Sequence, residues 1–97
     1  MSYLVNSKNI APIAYGRCDN GTGANLYNCT VTGNNPYTVT LTTGSYTYMV
    51  PMATARNGDT HAVVTDTTTT TATFQTHFTT TGNGHASAFF FVLFGYN

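Results

Sequence analysis

Apolar and polar residues alternate along several short segments of this 97-residue chain. The clearest alternation runs from residue 37 to residue 42, where Tyr37, Val39 and Leu41 are separated by threonines. Successive side chains of a β-strand point to opposite faces, so these three residues are predicted to face inward from a half-buried antiparallel strand. Threonine suits the other face because its β-branched side chain packs well on a pleated surface.

Clusters of Gly, Asn and Asp separate the alternating segments, and these residues favour turns. The predicted strands are 2–5, 10–18, 26–32, 37–42, 46–52, 61–65, 72–80 and 86–95. Within these strands, three sets of residues are each expected to share one face: Ile13 with Tyr15; Tyr46 with Tyr48, Val50 and Met52; and Phe74 with Thr76 and Phe78. The third set is expected to face inward. No segment shows apolar residues at helical spacing. The pattern predicts an all-β fold, an antiparallel, jelly-roll-like β-sandwich of seven to eight short strands. Residues 10–97 are predicted to form its single domain, and residues 1–9 are predicted to form an N-terminal arm or short edge strand.

The last predicted strand, 86–95, is the most apolar part of the chain and has two apolar faces. Phe89, Phe91 and Leu93 form the bulkier face, which is expected to fill the core because a core needs volume. The opposite face is predicted to be an oligomer or partner interface, since an exposed Phe stripe is an aggregation hazard. That face consists of Ala88, Phe90, Val92 and Phe94. The alternative is a central strand of a sandwich that is covered on both sides within one subunit.

Charged residues are rare, at 6 % of the chain, and the formal net charge is zero. Binding to nucleic acid or to an anionic membrane requires clustered Lys and Arg, so neither partner is expected. A near-zero charge also weakens the repulsion between copies and favours assembly. The N-terminal residues do not resemble a signal peptide, and the longest apolar run is far shorter than the ~20 residues that span a bilayer. We therefore expect a soluble protein that is made in a cytosol.

Two cysteines, Cys18 and Cys29, flank a turn near residues 21–23. If the intervening segment is a hairpin, they fall opposite each other, and a disulfide is geometrically possible. Two reduced, half-buried thiols are the favoured alternative for a cytosolic protein.

Residues suited to catalysis or metal binding are few. His61, His77 and His85 share no local ligand spacing, and the chain has no Glu to act as a general base. Asp59, His61 and Ser87 could be combined into a triad, but no nucleophile elbow or oxyanion loop accompanies them. We therefore predict no catalytic residue, no cofactor and no metal site. The minor alternative is a ring of one His per subunit around a threefold axis, which could hold an ion.

Tyrosines could line a surface that binds sugar or protein, because Tyr combines a flat apolar body with a polar tip. The candidates are Tyr3, Tyr27, Tyr37, Tyr46 and Tyr48. Of these, Tyr37, Tyr46 and Tyr48 are expected in the core, because they lie on the apolar faces of their predicted strands.

Several short motifs occur together between residues 14 and 95. They are Ala-Tyr-Gly at 14–16, Tyr-Thr-Val-Thr at 37–40, Tyr-Met-Val-Pro at 48–51, Thr-Phe-Gln-Thr at 73–76 and Phe-Phe-Phe-Val-Leu-Phe-Gly at 89–95. In this pattern the chain resembles the small β-sandwich module of bacteriophage virion proteins, which occurs at the C-termini of tail fibres. Members of that family are commonly trimeric. This chain differs from the fibre proteins because no long repetitive shaft precedes the module, and it therefore looks more like a capsid decoration or cement protein, or a tail accessory protein.

The resemblance implies a non-enzymatic virion structural protein, made in the host cytoplasm, that stabilises the capsid exterior as an oligomer. Its partners would be copies of itself, as a homotrimer, and other virion proteins such as the major capsid protein. The alternative is a receptor-binding module at the tail or fibre tip that recognises a host glycan.

Overall fold

The computed structural model describes the backbone of residues 3–5 and 8–97, with side chains from residue 11 onward. The described residues form nine strands and no helix. The strands are β1 (Tyr3–Val5), β2 (Lys8–Asp19), β3 (Thr22–Tyr27), β4 (Cys29–Gly33), β5 (Tyr37–Leu41), β6 (Tyr48–Ala55), β7 (Thr60–Thr67), β8 (Thr71–Phe78) and β9 (Phe89–Tyr96). The protein is all-β, as the alternating pattern predicted.

The strands form two antiparallel sheets that pack face to face as a sandwich. The first sheet has the order β1-β2-β9-β6, and β3 also pairs with β2, alongside its C-terminal half. The second sheet has the order β4-β5-β8-β7. In the first sheet, β9 lies between β2 and β6, so the last strand is central in its sheet, while Phe90 on its outer face is still 42 % exposed.

Both sheets contribute to one hydrophobic core. Tyr37 and Phe74 from the second sheet pack their rings against Phe89 from the first, with centroids 5.5 Å apart in each pair. The three predicted inward residues of β5 are all buried, and so are Phe89, Phe91 and Leu93. The choice of the bulkier face of β9 for the core is therefore confirmed. On β8, Phe74 and Thr76 are fully buried as expected, and Phe78 is half-buried.

The predicted strand 26–32 is two strands, because the chain leaves one sheet and enters the other at Asn28. Asn28 has a left-handed backbone, with φ of 55°, which Asn tolerates better than most residues. Its side-chain Nδ2 donates to the carbonyls of Ile13 (3.0 Å) and Thr43 (3.2 Å). Its Oδ1 accepts from the backbone N–H (3.1 Å) and the hydroxyl (2.9 Å) of Thr43. Asn28 thus ties the crossover to both sheets.

Other expectations about strand faces and bounds are also wrong. A register shift between Pro12 and Ala14 separates Ile13, which is buried, from Tyr15, which is exposed. The last strand begins at residue 89 instead of 86, so Ala88 lies before it and is buried.

The apolar residues Tyr48, Val50 and Met52 of β6 face outward, although they were expected to share an inward face with Tyr46. The inward side of β6 carries Met49, Pro51 and two alanines instead. Alternation alone could not decide between these faces, because both are apolar.

A polar network fixes the segment that enters β9. The hydroxyl of Thr76 donates to the carbonyl of His85 at 2.6 Å and accepts from the N–H of Ser87 at 3.2 Å. The Ser87 hydroxyl in turn accepts from Asn57 Nδ2 at 2.9 Å and from the Thr60 hydroxyl at 3.3 Å. These bonds satisfy buried polar groups between the two sheets, as buried groups require.

Candidate assembly surface

The outer side of the first sheet is an apolar face formed by three strands. Cross-strand pairing places its residues in rows: Val50, Phe94 and Pro12 form one row, and Met52, Val92 and Tyr15 form the next. A third row places Thr54 and Arg17 on either side of Phe90. We call the set Tyr15, Val50, Met52, Phe90, Val92 and Phe94 the outer apolar face.

These side chains are unusually exposed for large apolar groups. Met52 is 58 % exposed, Tyr15 49 % and Phe90 42 %. Of the eight large apolar side chains that the described residues expose, six lie on this side of the first sheet, including Tyr27 and Tyr48 at its margins. Scattered apolar residues on a surface need no explanation, but a contiguous set marks an interaction site or an aggregation hazard.

A shallow depression of about 360 Å³ lies within the face, between β6 and β9. It is lined by Met52, Ala53, Thr54, Phe90, Phe91 and Val92. Because Ala53 and Thr54 are small, the depression could receive a protruding apolar side chain from another surface.

Stacked tyrosine pairs border the outer apolar face at two places. Tyr15 stacks on Tyr27 with ring centroids 5.1 Å apart, and Tyr48 stacks on Tyr96 at 4.9 Å. Paired rings hold each other in position, so they offer rigid, flat contact area with a polar tip.

Charge on this side of the sheet is neutralised locally. Arg17, opposite Phe90, donates from Nε to a carboxylate oxygen of Asp19 at 3.0 Å. The pair is partly exposed, so it adds little stability. The pair matters for electrostatics instead. Since Asp19 neutralises Arg17, no uncompensated charge among the described residues of this face repels a second copy.

The outer side of the second sheet is polar. Its pairing register aligns threonines across three strands in two rows, Thr30 with Thr40 and Thr71, and Thr32 with Thr38 and Thr73. The sandwich therefore has two chemically different outer sides, one suited to burial against another protein and one suited to water.

The predicted interface residues are only partly brought together. Phe90, Val92 and Phe94 share the outer apolar face, with Phe90 the most exposed of the three. Ala88 does not belong to it, because Ala88 is buried before the strand begins. Val50 and Met52 of β6 also belong to this face, and sequence reasoning missed them. The available signal was that the residues alternating with them along β6 are apolar too, so either side of the strand could have been the outer one.

The predicted cysteine pair lies in the core. Cys18 and Cys29 are free thiols, and Gly23 rather than Cys29 is the register partner of Cys18. Cys29 begins β4 in the other sheet, where its Sγ lies 3.7 Å from the carbonyl oxygen of Tyr15. Burial raises the pKa of both thiols. Bridging of the pair on oxidation stays a prediction.

Ser87 is engaged with Asn57 and Thr60, and no hydrogen bond joins it to His61 or Asp59 within the described part of the chain. No three side chains of His, Cys, Asp or Glu are grouped to hold a metal among the described residues.

Of the tyrosines, Tyr37 is buried, Tyr46 is half-buried against the core, and Tyr27 and Tyr48 are exposed. The expectation that Tyr48 is a core residue is therefore wrong, and the side chain of Tyr3 lies outside the described residues.

Comparison with known proteins found no match to a family model, to a curated protein or to a solved structure. Within the described part of the chain, no helix has the length and apolar character needed to span a membrane.

Proposed function

We propose that this chain is a non-enzymatic structural protein of a bacteriophage virion, a decoration or cement protein that binds and stabilises the capsid exterior as an oligomer. The observation that carries the proposal is the outer apolar face, with β9 at its centre and β2 and β6 on either side. The phage setting is supported by the sequence resemblance to the β-sandwich module of virion proteins.

The size of the face favours a subunit held by several neighbours. Three strands about 4.8 Å apart, with residues about 3.3 Å apart over positions 90–94 of β9, give a footprint of about 15 by 17 Å, or about 250 Å². A stable two-protein interface buries about 800 Å² per partner, so this face alone supplies less than half of one. Contacts with further copies, as in a homotrimer, and with the major capsid protein would supply the remainder.

Binding through this face would depend on apolar burial and would therefore be insensitive to salt. The Arg17–Asp19 pair beside the face is already internally neutralised. We expect binding to capsids to survive high salt and to weaken when a charge replaces Met52.

The test is the copy number of the protein in purified virions, measured by quantitative mass spectrometry against the major capsid protein. A cement protein is present in a fixed, near-stoichiometric ratio to capsid subunits. Absence from the particle would contradict the proposal. A few copies per particle would instead support the second candidate function.

That second candidate is a receptor-binding module at the tail or fibre tip. The stacked, exposed pair Tyr15 and Tyr27 favours it, because a rigid aromatic surface with hydroxyl tips can stack on a host glycan. A glycan array probed with wild-type protein and with Tyr27→Ala would test this function. Binding that is lost in the variant would support it.

A further inference from the structure

We propose that His61 and His77 form a two-histidine chelate site for a divalent transition metal such as Cu²⁺ or Zn²⁺, on the polar outer side of the second sheet. This inference is independent of the proposed virion function.

The two histidines come together through strand register. His61 on β7 is the direct partner of His77 on β8, although 15 residues lie between them in the sequence. Side chains of directly paired residues start about 4.5–5.5 Å apart at Cβ and lie on the same side of the sheet. Here the two imidazole rings are stacked, with centroids 5.4 Å apart and planes at 23°.

A single metal ion could be reached by both rings after rotation of the two side chains. Metal–nitrogen bonds to His are about 2.0–2.1 Å long, so two ligating nitrogens lie about 3 Å apart. Rotation of each ring about its χ2 bond turns the stack into a pair of converging nitrogens without backbone movement. Imidazole is a preferred ligand of Cu²⁺, Ni²⁺ and Zn²⁺, and water would complete the coordination.

A second observation comes from the His77 ring itself. Its Nδ1 atom is buried and has no hydrogen-bond partner. A buried polar atom without a partner is unfavourable and needs an explanation. A ring rotation that brings this nitrogen toward His61 would give it a metal ion as its partner.

The surroundings leave this two-residue site open to solvent. His61 is exposed, so an ion can enter from solvent. Cys18 and Cys29, which bind such metals strongly, are buried in the core. His85 is held elsewhere, stacked on Phe78 with centroids 4.1 Å apart.

The bound ion would fasten the edge of the second sheet. Strand β7 is the edge strand in the order β4-β5-β8-β7, and His61 lies near its beginning. A metal that bridges His61 and His77 would therefore hold β7 to β8 where the sheet ends.

The experiment is calorimetric titration of the whole protein with CuCl₂ and with ZnCl₂, for the wild type and for His61→Gln, His77→Gln and His85→Gln. We expect one equivalent of Cu²⁺ to bind the wild type and His85→Gln. Loss of either chelating ring should weaken binding about tenfold or more, because the second imidazole no longer binds intramolecularly. Melting curves of the metal-free variants check that each is folded.

Two spectroscopic readouts make the result specific. Electron paramagnetic resonance of the Cu²⁺ complex should show coupling to two imidazole nitrogens, and Zn²⁺ should slow amide exchange in β7, reversibly with a chelator. The proposal is overturned if the wild type does not bind either metal, if His61→Gln and His77→Gln bind as the wild type does, or if His85→Gln loses binding equally.

Discussion

Substitution of two adjacent residues of β9, Phe90 and Phe91, separates effects on folding from effects on assembly most clearly. Phe91 is 4 % exposed and packs against Phe74 and Phe89, with ring centroids 5.9 and 6.1 Å away. Its neighbour Phe90 points to the opposite side and is 42 % exposed. Replacement of each by Ala removes the same atoms from two different environments.

The expected magnitudes differ severalfold. Phe91→Ala should cost about 3–5 kcal/mol, since it removes buried contacts and leaves a cavity. A change of 1 kcal/mol shifts the melting temperature of a domain of this size by about 4–8 °C, so the loss should exceed about 12 °C. Phe90→Ala removes a side chain that is only partly buried, and we expect a cost below about 2 kcal/mol. Its main effect should be on association between subunits.

The assay combines thermal melting with analytical sedimentation over a range of concentrations. Phe90→Ala should remain folded and sediment as a smaller species than the wild type. Equal destabilisation by both substitutions, together with a wild type that stays monomeric at high concentration, would refute the reasoning, and β9 would then be only a central strand of the sandwich.

Further predictions concern the crossover, the polar network and the thiols. Asn28→Ala should destabilise by about 2–4 kcal/mol in denaturant unfolding, because four hydrogen bonds are lost; Asn25→Ala, which shares the left-handed backbone, is the control and should cost much less. Thr76→Val should cost about 1–3 kcal/mol by leaving its buried partners unpaired, and an unchanged unfolding midpoint would contradict this. Cys18 and Cys29 have pKa values raised by burial, so the folded state holds their protons more tightly than the unfolded state. Their contribution to stability is fully present below the usual pKa of 9.0 and is lost as the pH rises above it. Unfolding measured between neutral pH and pH ~10 checks this prediction. On oxidation we expect a disulfide between them, seen by mass spectrometry as the loss of two hydrogens; two modified but unlinked thiols would contradict it.

The fold was predictable where one face of a strand is apolar and the other polar. Tyr37 and Val39 in β5 have this pattern, and both are fully buried. In β6, both faces are apolar, and the choice depends on which face the neighbouring sheet covers, so alternation alone assigned Tyr48 wrongly. At Asn28, the chain changes sheet within an apparently continuous strand, because a left-handed residue with four side-chain bonds ends one strand and begins the next.

The candidate sites depended on long-range register that no local pattern contains. Phe90 and Val92 were identified from the sequence, because both sides of the last strand are apolar. Met52 joins them only through the antiparallel pairing of β6 with β9. Likewise, His61 and His77 share no sequence spacing typical of a metal site, and only the pairing of β7 with β8 places them side by side.

We infer that the outer apolar face is covered by another protein surface in the assembled state. The most direct measurement compares the sedimentation of the wild type, Met52→Lys and Thr32→Lys at high protein concentration. Both substituted residues are exposed on edge strands, but Met52 lies on the apolar side and Thr32 on the threonine-rich side. We predict that the wild type and Thr32→Lys associate and that Met52→Lys stays monomeric with little change in melting temperature. A monomeric wild type, or association unaffected by Met52→Lys, would contradict the claim.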